Sequence, residues 1–267
     1  MTAPHIPDDL SHWVLGCARN HVASDDIVRL MQREGWEEDQ AAEAVARVLA
    51  DQHFEVPRLR HEGHRVRVGR KAVDIVTRSD DGSLVLLGGL LSPKECQGLM
   101  VEAEARLDTA KTTTRAADHL HAGRIAMSHF FPLGCSPLVR RIEQRVEALF
   151  GWPIADTEGI QIQRYGPGGR YEPHFDYFDG VAPPLRGDGP PRQRVATLLC
   201  YLVMPEQGGA THFVQHKLSL TPRPGDAVFF SYDRPSPSTG TLHAGQPVEQ
   251  GHKWVVNVWF RERLVDA

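Results

Sequence analysis

A chain of 267 residues with 41% hydrophobic and 24% charged residues can bury a sizeable core, as one large domain or one medium domain with a small companion. Its 30 Lys and Arg against 34 Asp and Glu give a formal charge of −4, which excludes a polyanion binder acting through the whole surface. No apolar run approaches the ~18 residues that a membrane span needs, so no membrane partner is expected.

The four cysteines (Cys17, Cys96, Cys135 and Cys200) lie far apart and form no CxxC pair. That is the pattern of a reduced, intracellular protein and not of a disulfide framework. Cys200, inside an apolar strand, reads as a small core residue. The opening MTAPHIPDDLSHW has no basic run followed by an apolar stretch, so no secretory signal is expected and the expected location is the cytoplasm.

Residues 1–52 read as a helical segment of their own. A first helix lies around Leu10–Ala18. Ser24 can cap a second, in which Ile27, Leu30 and Met31 share a face and which Gly35 can stop. Ala41, Val45, Val48 and Leu49 make a third apolar stripe. Three short helices with an LMxxxG-like turn resemble a ubiquitin-associated-type bundle, which implies a protein partner; the alternative is a helical extension packed on the main domain.

From residue 53 the texture changes to short strands punctuated by Pro and Gly, and 53–267 reads as the main domain. The one basic stretch, RLRHEGHRVRVGRK at 58–71, is either an edge strand whose charges deter pairing with other chains or a contact for an acidic partner or nucleic acid. VRVGRKAVDIV and SLVLLGG are strand-like. A helix begins at Ser92 with Pro93 in its first turn, and PLVRRIEQRVEALFG is another, with Leu138, Ile142, Val146 and Leu149 on one face. Regularly spaced strands then run to the C-terminus and predict a sandwich or barrel, an α+β chain that is mainly β. Two Pro/Gly-rich segments, 181–194 and 233–240, are lids over a site or plain connectors.

Four residues carry the chemistry. His174 and Asp176 stand two apart in RYEPHFDYFD, His243 follows in GTLHAG, and Lys253 comes ten residues later in GHKWVVNVWF. A His-x-Asp pair with one distant His is the ligand set of the facial triad that holds non-heme Fe(II) and leaves positions open. On a strand, positions 174 and 176 point to one face and can reach one ion. The same parity puts Lys253, Val255, Asn257 and Trp259 on one face of a central strand and Trp254, Val256, Val258 and Phe260 on the other. A buried lysine is costly without an anion beside it. His212 and His216, in THFVQH, are a second candidate metal pair, whereas His119, His121, His129 and His252 read as ordinary core or surface residues.

These stretches resemble the prolyl 4-hydroxylase branch of the Fe(II)/2-oxoglutarate-dependent dioxygenases. The blocks RYGPGGRYEPHFDYFD, RVATLLCYLVMPEQGGATHF, LTPRPGDAVFFSY and TLHAGQPVEQGHKWVVNVWF occur in that family's order and mark a metal core at 160–262, with LLSPKECQGLM extending the likeness back to about residue 84. The resemblance implies a double-stranded β-helix, or jelly roll, with buttressing helices. It implies Fe(2+) on His174, Asp176 and His243, 2-oxoglutarate as co-substrate with Lys253 on its distal carboxylate, O2, and ascorbate as reductant. Tyr165, Thr197 and Tyr201 are candidates for the 2-oxoglutarate pocket, Tyr171 and Arg170 for the primary substrate, and Trp259 is expected against the metal-binding histidines. Related halogenases have a small residue where this chain has Asp176, so hydroxylation is expected.

The leading expectation is hydroxylation of prolyl residues in a polypeptide. The same chemistry on another peptide residue, a free amino acid or a small metabolite is the alternative. A nucleic-acid demethylase is favoured only by the 58–71 stretch and opposed by Lys253 and the net acidity, so a nucleic-acid partner is not expected. A non-enzymatic cupin-like binder, with PRPGD at 222–226 as its turn, is opposed by Lys253. Whether the chain forms a homodimer is left open.

Overall fold

The computed structural model describes residues 6–19, 22, 24–50, 54–109, 125–179 and 181–263. Three helices come first, α1 (Asp8–Arg19), α2 (Ser24–Arg33) and α3 (Glu38–Ala50). Then come β1 (Arg65–Val68), β2 (Lys71–Arg78), β3 (Leu84–Gly88) and α4 (Pro93–Glu104). β4 (Asp108–Thr109), β5 (Met127–Phe131), α5 (Pro137–Phe150) and β6 (Thr157–Tyr165) lead into the C-terminal strands. These are β7 (Tyr171–His174), β8 (Arg194–Val203), β9 (Gln207–Gly208), β10 (Thr211–Phe213), β11 (Leu218–Leu220), β12 (Ala227–Ser231), β13 (His243–Gly245), β14 (Val248–Gln250) and β15 (Lys253–Arg261).

The strand pairs among the described residues are antiparallel, so the chain is mainly β with few helices. A nine-stranded sheet runs β1-β2-β3-β12-β8-β15-β6-β5-β4, a four-stranded sheet runs β11-β10-β13-β7, and β14 pairs with β9. β1 is an edge, as its charges predict, with Arg65 and Arg67 exposed and Val66 and Val68 half-buried. The expected boundary at 52–53 lies outside the described residues, as do His119 and His121.

Alternation along the central strands builds two cores on opposite faces of the large sheet. Ile160 and Ile162 of β6, Ala196, Leu198 and Cys200 of β8, Phe229 of β12, and Val256, Val258 and Phe260 of β15 face α4 and α5. Phe150 of α5 stacks on Phe229 at 4.4 Å, a geometry worth on the order of 1 kcal/mol beyond its buried area. The intervening residues Tyr165, Leu199, Tyr201, Val228, Phe230 and Val255 form a second core, which Phe213 of the smaller sheet completes. The site lies on this second face.

The two buttressing helices start and stop where the sequence indicates. Ser92 and Glu95 cap α4 reciprocally with Pro93 in its first turn, and Ser136 caps α5, which ends at Gly151 in the left-handed conformation. Burial opposes ionisation of Glu95, but Arg145 of α5, 2.7 Å away, and Ser92 hold its carboxyl at about 2, which ties the helices together.

Helices α1–α3 bury Val14, Ala18, Ile27, Met31, Ala41, Val45, Val48 and Leu49 in a third core separate from the other two. Leu30, expected on the buried face of α2, is instead 36% exposed, because Ile27 and Met31 fill the seam against α3. The bundle meets the rest of the chain at a small apolar cleft where Leu15 and Leu49 approach Phe54, Val181 and Pro235. Removing residues 1–52 is expected to leave a soluble, cooperatively folding domain with a lowered melting temperature. A truncation that aggregates during refolding would show that the bundle completes the core of the main domain.

Candidate active site

His174 and His243 meet because their strands pair in a register that sets them directly opposite each other. Opposed side chains of an antiparallel pair are nearest neighbours, and the two imidazole centroids lie 4.3 Å apart. Each ring is aimed by its own backbone. Nδ1 of His174 is 2.9 Å from the Glu172 carbonyl and Nδ1 of His243 is 3.0 Å from the Thr241 carbonyl. A carbonyl oxygen only accepts, so each Nδ1 donates, and each Nε2 is the atom turned toward Asp176. Burial, and next the neighbouring His174, push His243 down to about 4, so its ring is neutral at pH 7.

Strand parity does not place Asp176, contrary to expectation. β7 ends at His174, and Asp176 sits in the turn beyond it. Neighbours on β8 fix it there. Arg194 Nη1 donates to the Asp176 carbonyl at 3.1 Å, and Thr197 Oγ1 donates to Asp176 Oδ2 at 2.6 Å. The Gln193 amide brackets the next turn, accepting from Phe178 N and donating to Phe178 O, each at 2.8 Å. Oδ1 then lies 3.5 Å from His174 Nε2 and Oδ2 lies 3.9 Å from His243 Nε2. One donor atom from each of the three buried residues lies within 4.8 Å of the others, and no other cluster of three such groups forms among the described residues. Burial opposes ionisation of Asp176, but His243, His174 and Arg194 outweigh it and hold the carboxyl well below its ordinary range.

The three residues line a cavity of about 40 Å³ between the sheets. Lys253, Val255, Asn257 and Trp259 all line it, as the parity of β15 predicts. Lys253 is 4% exposed; its Nζ donates to Thr211 Oγ1 at 3.3 Å and pairs with no carboxylate among the described residues. Burial lowers it from the usual 10.5 to about 8. A cation so placed, in a cavity and beside hydroxyls, is a receptor for an anion.

The other expected residues divide. Tyr165 is the cross-strand partner of Lys253, lines the cavity, and donates its hydroxyl proton to Gln163 Oε1 at 2.6 Å. Thr197 lines the cavity but spends its proton on Asp176. Tyr201 is fully buried behind the wall; its ring centroid lies 5.6 Å from Lys253 Nζ, and its hydroxyl donates at 2.8 Å to Thr211, which Lys253 also contacts. Tyr171 stacks flat on His174 at 3.5 Å and lines the cavity. Arg170 does not line it; its side chain is half-exposed and pairs with Glu172 at 2.6 Å. Trp259 packs under the Arg194 guanidinium at 4.1 Å and beside Phe130, not against the histidines as expected. His212 and His216 share no strand, since β10 ends at Phe213, and His212 is turned outward onto Ser219.

Several contributors escape a reading of the sequence. Thr211 sits on a three-residue strand too short to show a period. Arg194, at the mouth of β8, is locked to Glu158 through two hydrogen bonds of 2.6 and 2.7 Å, and Glu158 also accepts from Arg261 at 2.6 Å. Glu158 and Arg261 lie 36 and 67 residues from Arg194, and nothing local announces the triad.

Residues 160–261 match the family model of the 2OG-Fe(II) oxygenase superfamily. Prolyl 4-hydroxylase subunit alpha-1 of Gallus gallus is 34% identical over 188 residues, 69% of this chain and 36% of that protein. The chain thus spans about a third of the length of the curated alpha subunits it matches. Prolyl 4-hydroxylase 1 of Arabidopsis thaliana is 29% identical over 225 residues, 74% of this chain and 75% of that protein. The crystal structure of the viral collagen prolyl hydroxylase from Paramecium Bursaria Chlorella virus-1, in a 2OG complex, superposes with a TM-score of 0.53 at 28% identity, covering 68% of this chain and 98% of the viral one. Matching sequence, matching fold and a buried His174–Asp176–His243 cluster inside the matched segment agree: residues 160–261 of this chain belong to the 2OG-Fe(II) oxygenase superfamily.

Proposed function

We propose that this chain is an Fe(II)- and 2-oxoglutarate-dependent hydroxylase acting on prolyl residues of a polypeptide, built on a double-stranded β-helix. The observation that carries the reading is the pairing, in one cavity, of the His174–Asp176–His243 cluster with a buried lysine that lacks an acidic partner among the described residues. Two imidazoles that present Nε2 and one carboxylate suit Fe(II), and Lys253 suits the far carboxylate of a dicarboxylic co-substrate. Iron with 2-oxoglutarate and O2 supplies the oxidising power for an unactivated C–H bond, with ascorbate as the reductant.

The chain's own groups bind, orient and exclude water. Lys253, with Thr211 beside it, fixes one end of the co-substrate in a dry wall, so its other end faces the cluster. Tyr165, opposite Lys253, bounds that pocket with its ring. Tyr171, flat on His174, shields the ligand from water and offers an aromatic edge to an extended peptide. The relatives' names motivate the prolyl substrate, and the fixed φ of proline makes it a low-entropy ligand. The four free cysteines fit the cytoplasm as its location.

Three outcomes test this. Asp176→Ala and His174→Ala should each abolish stoichiometric Fe(II) binding by calorimetry and all turnover, and iron bound with wild-type turnover in either would remove the assignment. Lys253 must be protonated to hold a dianion. Affinity for 2-oxoglutarate should therefore be flat below about pH 8 and fall as the pH rises above it, while the ligand-free fold gains stability from this group between about pH 8 and 10.5. Lys253→Ala should weaken 2-oxoglutarate by on the order of 2–3 kcal/mol, erase that pH dependence and leave iron affinity nearly unchanged. Proline-rich peptides should stimulate succinate formation and gain the mass of one oxygen on proline. Stimulation by a free amino acid and by no proline-containing peptide would reject the prolyl reading.

A further inference from the structure

Tyr232 has no place in the chemistry so far, yet two hydrogen bonds join it, through Thr197, to Asp176 of the His174–Asp176–His243 cluster. It follows β12, on the face that carries Val228 and Phe230 toward the second core, and it is 1% exposed. Its backbone N–H donates to the Val195 carbonyl at 2.9 Å, which docks it beside β8, and its ring lies between Phe230 (6.2 Å) and Tyr177 (6.0 Å). The hydroxyl lies 3.0 Å from Thr197 Oγ1, and Thr197 Oγ1 lies 2.6 Å from Asp176 Oδ2.

Proton bookkeeping gives this chain a direction. An ionised carboxylate only accepts, so the single hydroxyl proton of Thr197 goes to Asp176. Thr197 Oγ1 can then only accept from its other neighbour, so Tyr232 donates. The order Tyr232 O–H to Thr197 O–H to Asp176 Oδ2 is the one arrangement in which both buried hydroxyls are satisfied. Each donor polarises the next, so the bond that reaches the carboxylate is stronger than a lone threonine would supply.

We propose that Tyr232 is a positioning residue for the metal site. Acting through Thr197, it engages Asp176 Oδ2 and so fixes the carboxylate plane, leaving Oδ1, on the His174 side, as the oxygen that ligates. A carboxylate held by one oxygen takes one coordination position; one free to rotate can take two and close a position that the co-substrate and O2 need. The proposal rests on the reading of His174, Asp176 and His243 as metal ligands. Residues that orient a ligand from behind typically change metal affinity 10–100-fold when removed.

The test uses the full chain and Co(II) alone, whose visible absorption reports ligand number and geometry without turnover. Tyr232→Phe, nearly isosteric, should weaken Co(II) about tenfold and change the visible bands. Thr197→Val should do the same, Thr197→Ser should restore wild-type affinity, and Tyr232→Phe with Thr197→Val should cost no more than Thr197→Val alone, because both act along one line. Tyr177→Phe, on a neighbouring ring outside the chain, should leave affinity and spectrum unchanged. Melting temperatures without metal separate loss of fold from loss of positioning. Wild-type affinity and spectrum in Tyr232→Phe beside a loss in Thr197→Val overturns the role of Tyr232, and strictly additive losses in the double variant overturn the chain. Equal Co(II) binding by wild type and His174→Ala would instead refute the metal reading on which the proposal rests.

Discussion

A two-residue period running through four adjacent strands is the constraint on which the remaining structure depends. On β6, β8, β12 and β15 one set of alternate side chains is aliphatic or aromatic and packs on α4 and α5, and the other set carries Gln161, Gln163, Tyr165, Thr197, Tyr201, Asn257 and Lys253. A slip of one residue in β6 or β15 would drive glutamine or lysine into the helix-facing core and expel isoleucine or valine. The apolar face is therefore what fixes the polar one. Stability and site geometry are two readings of a single register.

The polar face opposes folding, and the groups on it are arranged to limit that cost. Asp176 and Lys253 are both withdrawn from water, and the two are treated differently. Asp176 receives a hydroxyl proton on one oxygen and lies near Arg194, so its charge survives burial. Lys253 receives little, and burial brings it close to neutrality at mildly alkaline pH. A buried cation with no carboxylate partner among the described residues stores binding energy for a ligand that supplies the missing charge. The triad of Glu158, Arg194 and Arg261 sets two guanidinium groups on one carboxylate, and its work is mechanical: it holds the mouth of β8 against the turn that carries Asp176.

How much of this could be read from the chain depended on the range of each contact. The parity of KWVVNVWF gives the lining face of β15 outright, since alternation needs only the strand itself. The helix starts at Ser92 and the helical stretch at 137–150 were equally legible, because capping and amphipathicity are local. Parity alone puts Asp176 on a strand that ends two residues earlier; the turn that carries it is set by Gln193, Arg194 and Thr197, which lie 17 to 21 residues away. The surroundings of Arg170 and Trp259 are hidden for the same reason. Glu172 neutralises one and Arg194 covers the other, and neither partnership leaves a local pattern. His119 and His121 fall outside the described residues and add nothing to that comparison.

The ligand set is divided between two sheets. His174 and His243 belong to the small sheet through β7 and β13, whereas Asp176 is held by Arg194 and Thr197 of the large one. An ion bound by all three would therefore act as a fastener between layers that otherwise meet mainly through the side chains of the second core. By mass action such an ion stabilises the folded state by RT ln(1 + [M]/Kd), and here that energy would be concentrated at the seam and not spread through the molecule. Metal supply would then govern how often the layers part, and with it the lifetime of the chain against proteases, independently of any turnover.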